Sequence, residues 1–358
     1  MHKIPESAVD CRPPLLGMSF AQLEALCAQA GVKPAHAETL RAHIFRHADQ
    51  DIRGIAGLPQ AFYDYIESNT RRLEPELRAR QDSEDGTCKM LLGMADGREV
   101  ETVLIPGKGR LTQCISTQVG CAVACTFCLT ATAGLTRNLS AAEMVGQIHA
   151  AFQHTGLKPR NLVLMGMGEP LHNYADVAQF VRIATDPKGM AFSPNRLTLS
   201  TSGLVPAIYR MIEDELPCNL AVSLNATTDE VRDRVIPINR KYPIAELMQA
   251  VRDYIKARGN KRVLIEYVML AGVNDSIADA RRLCELVAGL GCTVNLLPFN
   301  PYPGAIYASP QAAAVSAFRE VLVDASIIAV VRESRGRYIS AACGQLKTET
   351  VKRRKKSA

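Results

Sequence analysis

Three cysteines, Cys121, Cys125 and Cys128, stand in GCAVACTFCLTATAG with the spacing C-x3-C-x2-C. Thiolates are soft ligands, and three so close together suit zinc or an iron–sulfur cluster. A structural zinc site wants four ligands. No fourth Cys or His follows at finger spacing, and the next histidine is His149, inside a predicted helix. Three thiolates on a [4Fe–4S] cubane leave one iron open. An open iron can chelate the methionine end of S-adenosylmethionine (SAM) and pass one electron to its sulfonium, which yields a 5′-deoxyadenosyl radical. Phe127, beside the third cysteine, fits as an apolar shield. The spacing favours this radical chemistry, with a zinc site as the alternative.

Such a loop needs a rigid support, and the sequence around it has a βα rhythm. Strands are expected at 111–119, 161–167, 196–202, 219–225, 262–270 and 293–299, with helices at 141–154, 174–186, 244–259 and 277–290. Six strands alternating with helices predict a parallel sheet with crossover helices. Rolled up, that is an α/β partial (β/α)6 barrel, with functional residues at the C-terminal strand ends. A doubly wound open sheet is the runner-up, weakened because no dinucleotide glycine fingerprint follows the first strand. Residues 18–75 read as helices, with Ser19 capping the first and Gly31 stopping it. Residues 86–105 switch to alternation around an Asp-Gly turn, which predicts a hairpin. The organisation expected is a small helical accessory domain over 1–95 joined through that hairpin, a core over 96–346, and a tail over 347–358.

At the predicted barrel mouth several small or polar residues end successive strands. Gly168 and Glu169 lie in MGMGEP, and Ser200 ends the third strand. Ser223, Leu224 and Asn225 end the fourth, and Asn300 follows the sixth. Each alone reads as turn punctuation or a cap. Together they favour donors and acceptors for ribose and amino-acid groups, with Glu169 paired to an ammonium.

Composition sets the outer bounds. The chain has 358 residues, 47% hydrophobic, so a sizeable core is expected. No apolar run is long enough to span a membrane. The start, MHKIPESAVDCRPPL, has no apolar signal core, so a cytoplasmic protein is expected. There a disulfide framework among the 11 cysteines is disfavoured. Of the net charge of +6, the last twelve residues supply +5, from Lys347, Lys352, Arg353, Arg354, Lys355 and Lys356 against Glu349. A basic tail suits a polyanion, nucleic acid first, or merely solubility.

Eight motifs, GCAVACTFC, MGMGEPL, TLSTSG, VSLNA, RVIPINRKYP, IEYVML, NLLPFNPYPG and AACGQL, run in the order found in the RlmN/Cfr family, which the chain resembles over about residues 18–346. The resemblance includes DGTCKMLL and VETVLIP ahead of the triad. It implies a radical SAM methyltransferase acting on adenosine in RNA, nearer the C2-methylating branch than the C8-methylating one. By that resemblance Cys343, in AACGQL, is the cysteine that becomes S-methylated and carries the carbon to the base. Cys114 is the partner that resolves the covalent adduct through a transient disulfide. Glu101, in VETVLIP, is the proton acceptor. Gly168, Glu169, Ser200, Ser223, Leu224, Asn225 and Asn300 match the family's SAM contacts. The implied substrates are 23S rRNA at adenosine 2503 and tRNA at adenosine 37, with an electron donor such as flavodoxin. Two SAM molecules are used in ping-pong fashion. The chemistry is coherent, because adenine C2 is not nucleophilic and a polar methyl transfer to it should fail. One departure stands out: the family often has SLHA where this chain has VSLNA, so Asn225 replaces a histidine. Arg71, Arg72, Arg78 and Arg80 are candidate phosphate contacts, unless RRLEPELRAR is a solvated helix end of mixed charge. The alternative in another class is a non-catalytic RNA-binding protein with a zinc site.

Overall fold

The computed structural model describes residues 10–107, 109–259, 262–332, 335–336 and 339–346. The basic tail at 347–358 lies outside the described residues.

The first segment is helical, with α1 (Phe20–Gln29), α2 (Ala35–Arg46) and α3 (Gln60–Asn69). Ser19 caps α1 in a reciprocal capping box with Gln22. Proline sits at the N-terminal boundary of α2 and of α3, where its missing N–H costs nothing. Four strands follow as an antiparallel meander: β1 (Glu76–Asp82), β2 (Cys88–Gly93), β3 (Glu99–Gly107) and β4 (Arg110–Cys114). The expected hairpin is β2–β3. The segment ELRARQD is strand β1 and not a helix end, which corrects the expectation for RRLEPELRAR. Its side chains are nearly all exposed, so it shows no apolar alternation, and only pairing with β2 makes it a strand.

The run 111–119 also departs from expectation, because it is two elements. After β4 the chain leaves the sheet at Ile115–Thr117. It then forms β5 (Gln118–Gly120), which pairs antiparallel with β6 (Leu135–Asn138) in a separate ribbon. The ribbon closes the cysteine loop at its base. Gly120 is required there: its φ is +81°, and a Cβ would lie 1.9 Å from the Gly134 carbonyl oxygen.

From β4 onward the sheet is parallel. The elements in chain order are α4 (Ala141–Thr155), β7 (Asn161–Leu164), α5 (Tyr174–Thr185), β8 (Leu197–Thr201), α6 (Val205–Glu213), β9 (Asn219–Ser223), α7 (Asp229–Val235), α8 (Ile244–Ala257), β10 (Val263–Met269), α9 (Ile277–Val287), β11 (Cys292–Pro298), α10 (Ala312–Asp324) and β12 (Ile328–Val331). The strand order β4-β7-β8-β9-β10-β11-β12 follows the sequence, as a partial (β/α) barrel requires. Each expected strand is present, and β12 adds a further parallel edge strand. Its four residues are largely exposed, too short and open to signal a strand by pattern. Strand residues such as Leu162, Leu199, Leu220, Ile265 and Val294 are fully buried, because helices cover the outer face.

The antiparallel meander extends the same sheet, and one apolar core runs from Leu15 to Leu346. Arg41 of α2 donates to Asp186 at 2.8 Å, tying the first helices to the segment after α5.

Candidate active site

The cysteine loop lies between β5 and β6, and its backbone folds back on itself. Cys121 N–H donates to the Gly134 carbonyl at 3.0 Å, and Cys128 N–H to the Cys125 carbonyl at 3.1 Å. Ala124, just before Cys125, has a φ of +59°, uncommon for a side-chain-bearing residue. That turn bends the three thiols toward one region. Burial pushes the Cys121 thiol up to about 12, and burial with the charges of Cys128, Cys121 and Glu169 pushes the Cys125 thiol up as well. The Cys121 and Cys125 thiols, half-buried and held protonated by their surroundings, suit a cationic iron cluster, which inverts that penalty. Among the described residues no three Cys, His, Asp or Glu are disposed to hold one metal ion. A cubane does not need them to be, since each thiolate takes a different iron. Phe127 packs in a small apolar cluster with Val123, Val235, Ile236 and Phe299, beside Cys121 and Cys125.

The C-terminal segment docks on this loop. Leu129 N–H donates to the Gly344 carbonyl at 2.7 Å, and the Thr130 hydroxyl to the Leu346 carbonyl at 2.6 Å. Gln345 donates to the carbonyls of Asn300 and Pro301, both at 3.3 Å. Cys343 is thereby held beside the triad. The residue is exposed, yet crowding by the surrounding protein, with the charges of Glu266 and Cys128, raises its thiol to about 11. Cys114 ends β4 and is buried. Its thiol is raised by burial first and then by Cys343, so the two sulfurs are within electrostatic reach. Both are thiols in this structure.

Glu101 lies on β3, opposite Leu91, and is buried. Lys89 pairs with its carboxylate at 3.0 Å and donates to the Ser340 carbonyl at 3.4 Å. One lysine thus joins Glu101 to the segment that carries Cys343.

The strand ends form the mouth. Gly168 has a φ of +107°, and a Cβ there would lie 2.6 Å from the Gln118 side chain, so only glycine fits. Glu169 is buried and accepts from Ser202 N–H and Ser202 hydroxyl, both at 2.7 Å, and from Leu171 N–H at 3.0 Å. A carboxylate has about four acceptor sites, which leaves room for one more donor. Ser200, Ser223 and Asn300 are half-buried at the mouth, and Leu224 is buried. Asn225 is 1% exposed, with a φ of +55° that asparagine tolerates well. Its side-chain oxygen accepts from Val268 N–H at 2.7 Å, while its amide nitrogen has no partner among the described residues. A buried amide nitrogen without a partner is rare and calls for an explanation.

Sequence reasoning missed the residues that hold these groups. Gln118 accepts from Glu169 N–H and donates to Asn138. Arg232, on α7, is 0% exposed. It donates to the carbonyls of Ser202 at 2.6 Å, Leu224 at 3.0 Å and Ser223 at 3.2 Å, and to Asn239 at 2.9 Å. In sequence it is one of several charges in DEVRDRV, and no pattern distinguishes it from a solvated helix residue.

The Radical SAM superfamily profile matches residues 115–284, which include the triad, Glu169 and the ends of β8 and β9. A solved radical SAM methyltransferase from Sphaerobacter thermophilus superposes with a TM-score of 0.88 at 42% identity, over 94% of this chain and 99% of that one. The dual-specificity RNA methyltransferase RlmN of Rhodospirillum rubrum is 45% identical, over 95% of this chain and 81% of its own length. That of Jannaschia sp. is 43% identical, over 99% and 93%. The chain belongs to the RlmN family of radical SAM RNA methyltransferases. No helix among the described residues is long and apolar enough to cross a membrane.

Proposed function

We propose that this chain methylates C2 of adenosine, at adenosine 2503 of 23S rRNA and adenosine 37 of tRNA, through an S-methyl intermediate on Cys343. The observation that carries the reading is the docking of residues 343–346 on the cysteine loop, which sets Cys343 beside both the triad and Cys114.

Cys121, Cys125 and Cys128 would hold a [4Fe–4S] cluster, which when loaded supplies the electron that cleaves SAM. Gly168, Glu169, Ser200, Ser223, Leu224, Asn225 and Asn300 would bind SAM, Glu169 taking its ammonium. The Cys343 thiolate would attack the methyl carbon of a first SAM, S-adenosylhomocysteine leaving, and become a methyl thioether. After a second SAM has served to remove a hydrogen from that methyl, its carbon bonds to the adenine ring and joins enzyme to RNA. Glu101 would take the proton that leaves the ring carbon, the adduct radical giving up its one electron to the cluster, with Lys89 holding the carboxylate in place. The Cys114 thiolate would then attack the Cys343 sulfur, forming a disulfide as the sulfur–carbon bond breaks, and the released carbon would take a proton to become the methyl group of the base. The first helices and the basic tail would contact RNA, in a cytoplasmic protein reduced by a donor such as flavodoxin.

The test is nucleoside mass spectrometry of rRNA and tRNA from cells with and without the protein, and with Cys343→Ala. The expected product is 2-methyladenosine, lost in the variant while reductive SAM cleavage persists. 8-Methyladenosine would move the chain to the other branch. Full methylation by Cys343→Ala would refute the carrier role. A colourless protein with one zinc would refute the radical chemistry.

A further inference from the structure

His149 has no place in the chemistry above. It lies on α4, 3% exposed, and neither ring nitrogen has a hydrogen-bond partner among the described residues. Buried polar groups are nearly always paired, so an orphaned imidazole needs an explanation. It lines a groove of about 580 Å³, within the range of small-ligand sites. The groove is on the opposite face of the barrel from the mouth: Arg160 immediately precedes β7 and Arg196 immediately precedes β8, at their N-terminal ends.

The lining is one-sided in charge. Arg46, Lys158, Arg160 and Arg196 contribute four cations, and no Asp or Glu is among the lining residues. Among the described residues none of the four forms an ion pair with an acid. Lys158 sits 4.9 Å over the Phe152 ring and donates to the Arg46 carbonyl at 3.2 Å, while Arg46 donates to the Pro187 carbonyl at 3.3 Å. Phe152 and Phe192 supply flat apolar walls. Two acids stand at the rim, each engaged by a side chain from outside the groove: Asp49 by His43 at 3.4 Å, and Asp186, beside Gly189, by Arg41 at 2.8 Å.

We infer that this groove is a second binding site, for a nucleotide, with the base between the aromatic walls and the phosphate on Arg160 and Arg196. His149 supplies what a base or ribose edge needs from a neutral imidazole, one donor and one acceptor. Burial holds it neutral, down to about 4, so it does not add a fifth charge. The nucleotide comes either from a free pool or from an RNA strand reaching around the barrel. The RNA source rests on the methyltransferase reading, whereas the free source does not.

The experiment uses the full chain with its cluster reconstituted, titrated calorimetrically with AMP, adenosine and an RNA stem-loop. The variants are Arg160→Ala/Arg196→Ala and His149→Leu, with thermal melting to establish that each is folded. AMP is expected to bind better than adenosine. The arginine pair is expected to weaken AMP at least tenfold, and His149→Leu severalfold, with SAM affinity unchanged. If AMP does not bind, a tenfold loss of stem-loop affinity in both variants assigns the groove to RNA. AMP binding that neither variant alters refutes the inference. So does stem-loop affinity lowered by the arginine pair alone, because the cations then act as surface charge and nothing enters the groove. Methylation of saturating RNA should persist in both variants, so failure here leaves the C2 reading standing.

Discussion

Arg232 gives a sharp test of how the mouth is built. Its guanidinium is fully buried, and burial lowers it only to about 10, so it stays charged at neutral pH. A charge in that position costs several kcal/mol unless it is fully hydrogen-bonded. Here four of its five N–H groups are engaged, by three backbone carbonyls and Asn239. Those carbonyls belong to the ends of β8 and β9, and Ser202 in turn holds Glu169. The replacement Arg232→Met keeps most of the apolar stem and removes every donor. Each abandoned carbonyl then carries a penalty of about 1–3 kcal/mol, softened because some relax toward water or other donors. The removed cation no longer has to be desolvated, which offsets part of the loss. The net expectation is about 3–4 kcal/mol, near what breaking a buried charge network costs.

Urea unfolding of the cluster-loaded protein reads this as a lower midpoint at unchanged slope. Arg232→Lys keeps the charge but not the fork, and should fall in between. Because Ser202 and Glu169 lose their fixed positions, SAM affinity should drop at least tenfold in Arg232→Met. A variant within about 1 kcal/mol of the parent that binds SAM normally would show that these four bonds do not hold the strand ends.

Three other outcomes follow from the same geometry. Gln345→Ala removes two long hydrogen bonds worth together about 1 kcal/mol, so RNA methylation should fall about fivefold while reductive SAM cleavage holds; equal loss of both would refute the docking role. Lys89→Met takes the cation from a buried carboxylate and should cost about 3 kcal/mol in urea, most of it recovered in Lys89→Met/Glu101→Gln; no recovery would mean the pair is not the cause. His149 has its proton affinity lowered by burial from 6.5 to about 4, so the unfolded chain takes a proton that the folded one refuses. Stability is full above 6.5 and falls as pH drops toward 4, by about 3 kcal/mol, and His149→Leu should flatten that slope in pH-dependent melting.

Much of this was legible in sequence, for identifiable reasons. Parallel strands buried on both faces write continuous apolar runs, so β7 to β11 are visible. The triad is visible because its three thiols are close in the chain. What escaped is what depends on distant partners. Strand β1 is polar throughout and is a strand only because β2 pairs with it. Asn225 could be seen as a departure, but its left-handed backbone, which favours asparagine, could not. Arg232, Lys89 and Gln118 look like surface residues until the fold sets them against polar groups on other elements.

The docking of residues 343–346 also changes what the triad means. On spacing alone, Cys121, Cys125 and Cys128 could serve any radical reaction. In the fold, Leu129 and Thr130, directly after the third cysteine, hold the carbonyls of Gly344 and Leu346. The loop that would bind the cluster is therefore also the surface on which the candidate methyl carrier is mounted. A displacement of either moves both, so the distance from a cluster on the triad to the Cys343 sulfur would be set by local contacts and not by the whole barrel. Phosphate contacts at the surface need no such precision. Arg72, Arg78 and Arg80, each paired with an exposed acid, can exchange those partners for RNA at small cost. Replacing them should weaken RNA binding and reduce its salt dependence while leaving the methylation rate at saturating RNA unchanged, whereas Thr130→Val should do the reverse. If Thr130→Val lowered RNA affinity and left that rate intact, the coupling of loop and carrier would be wrong.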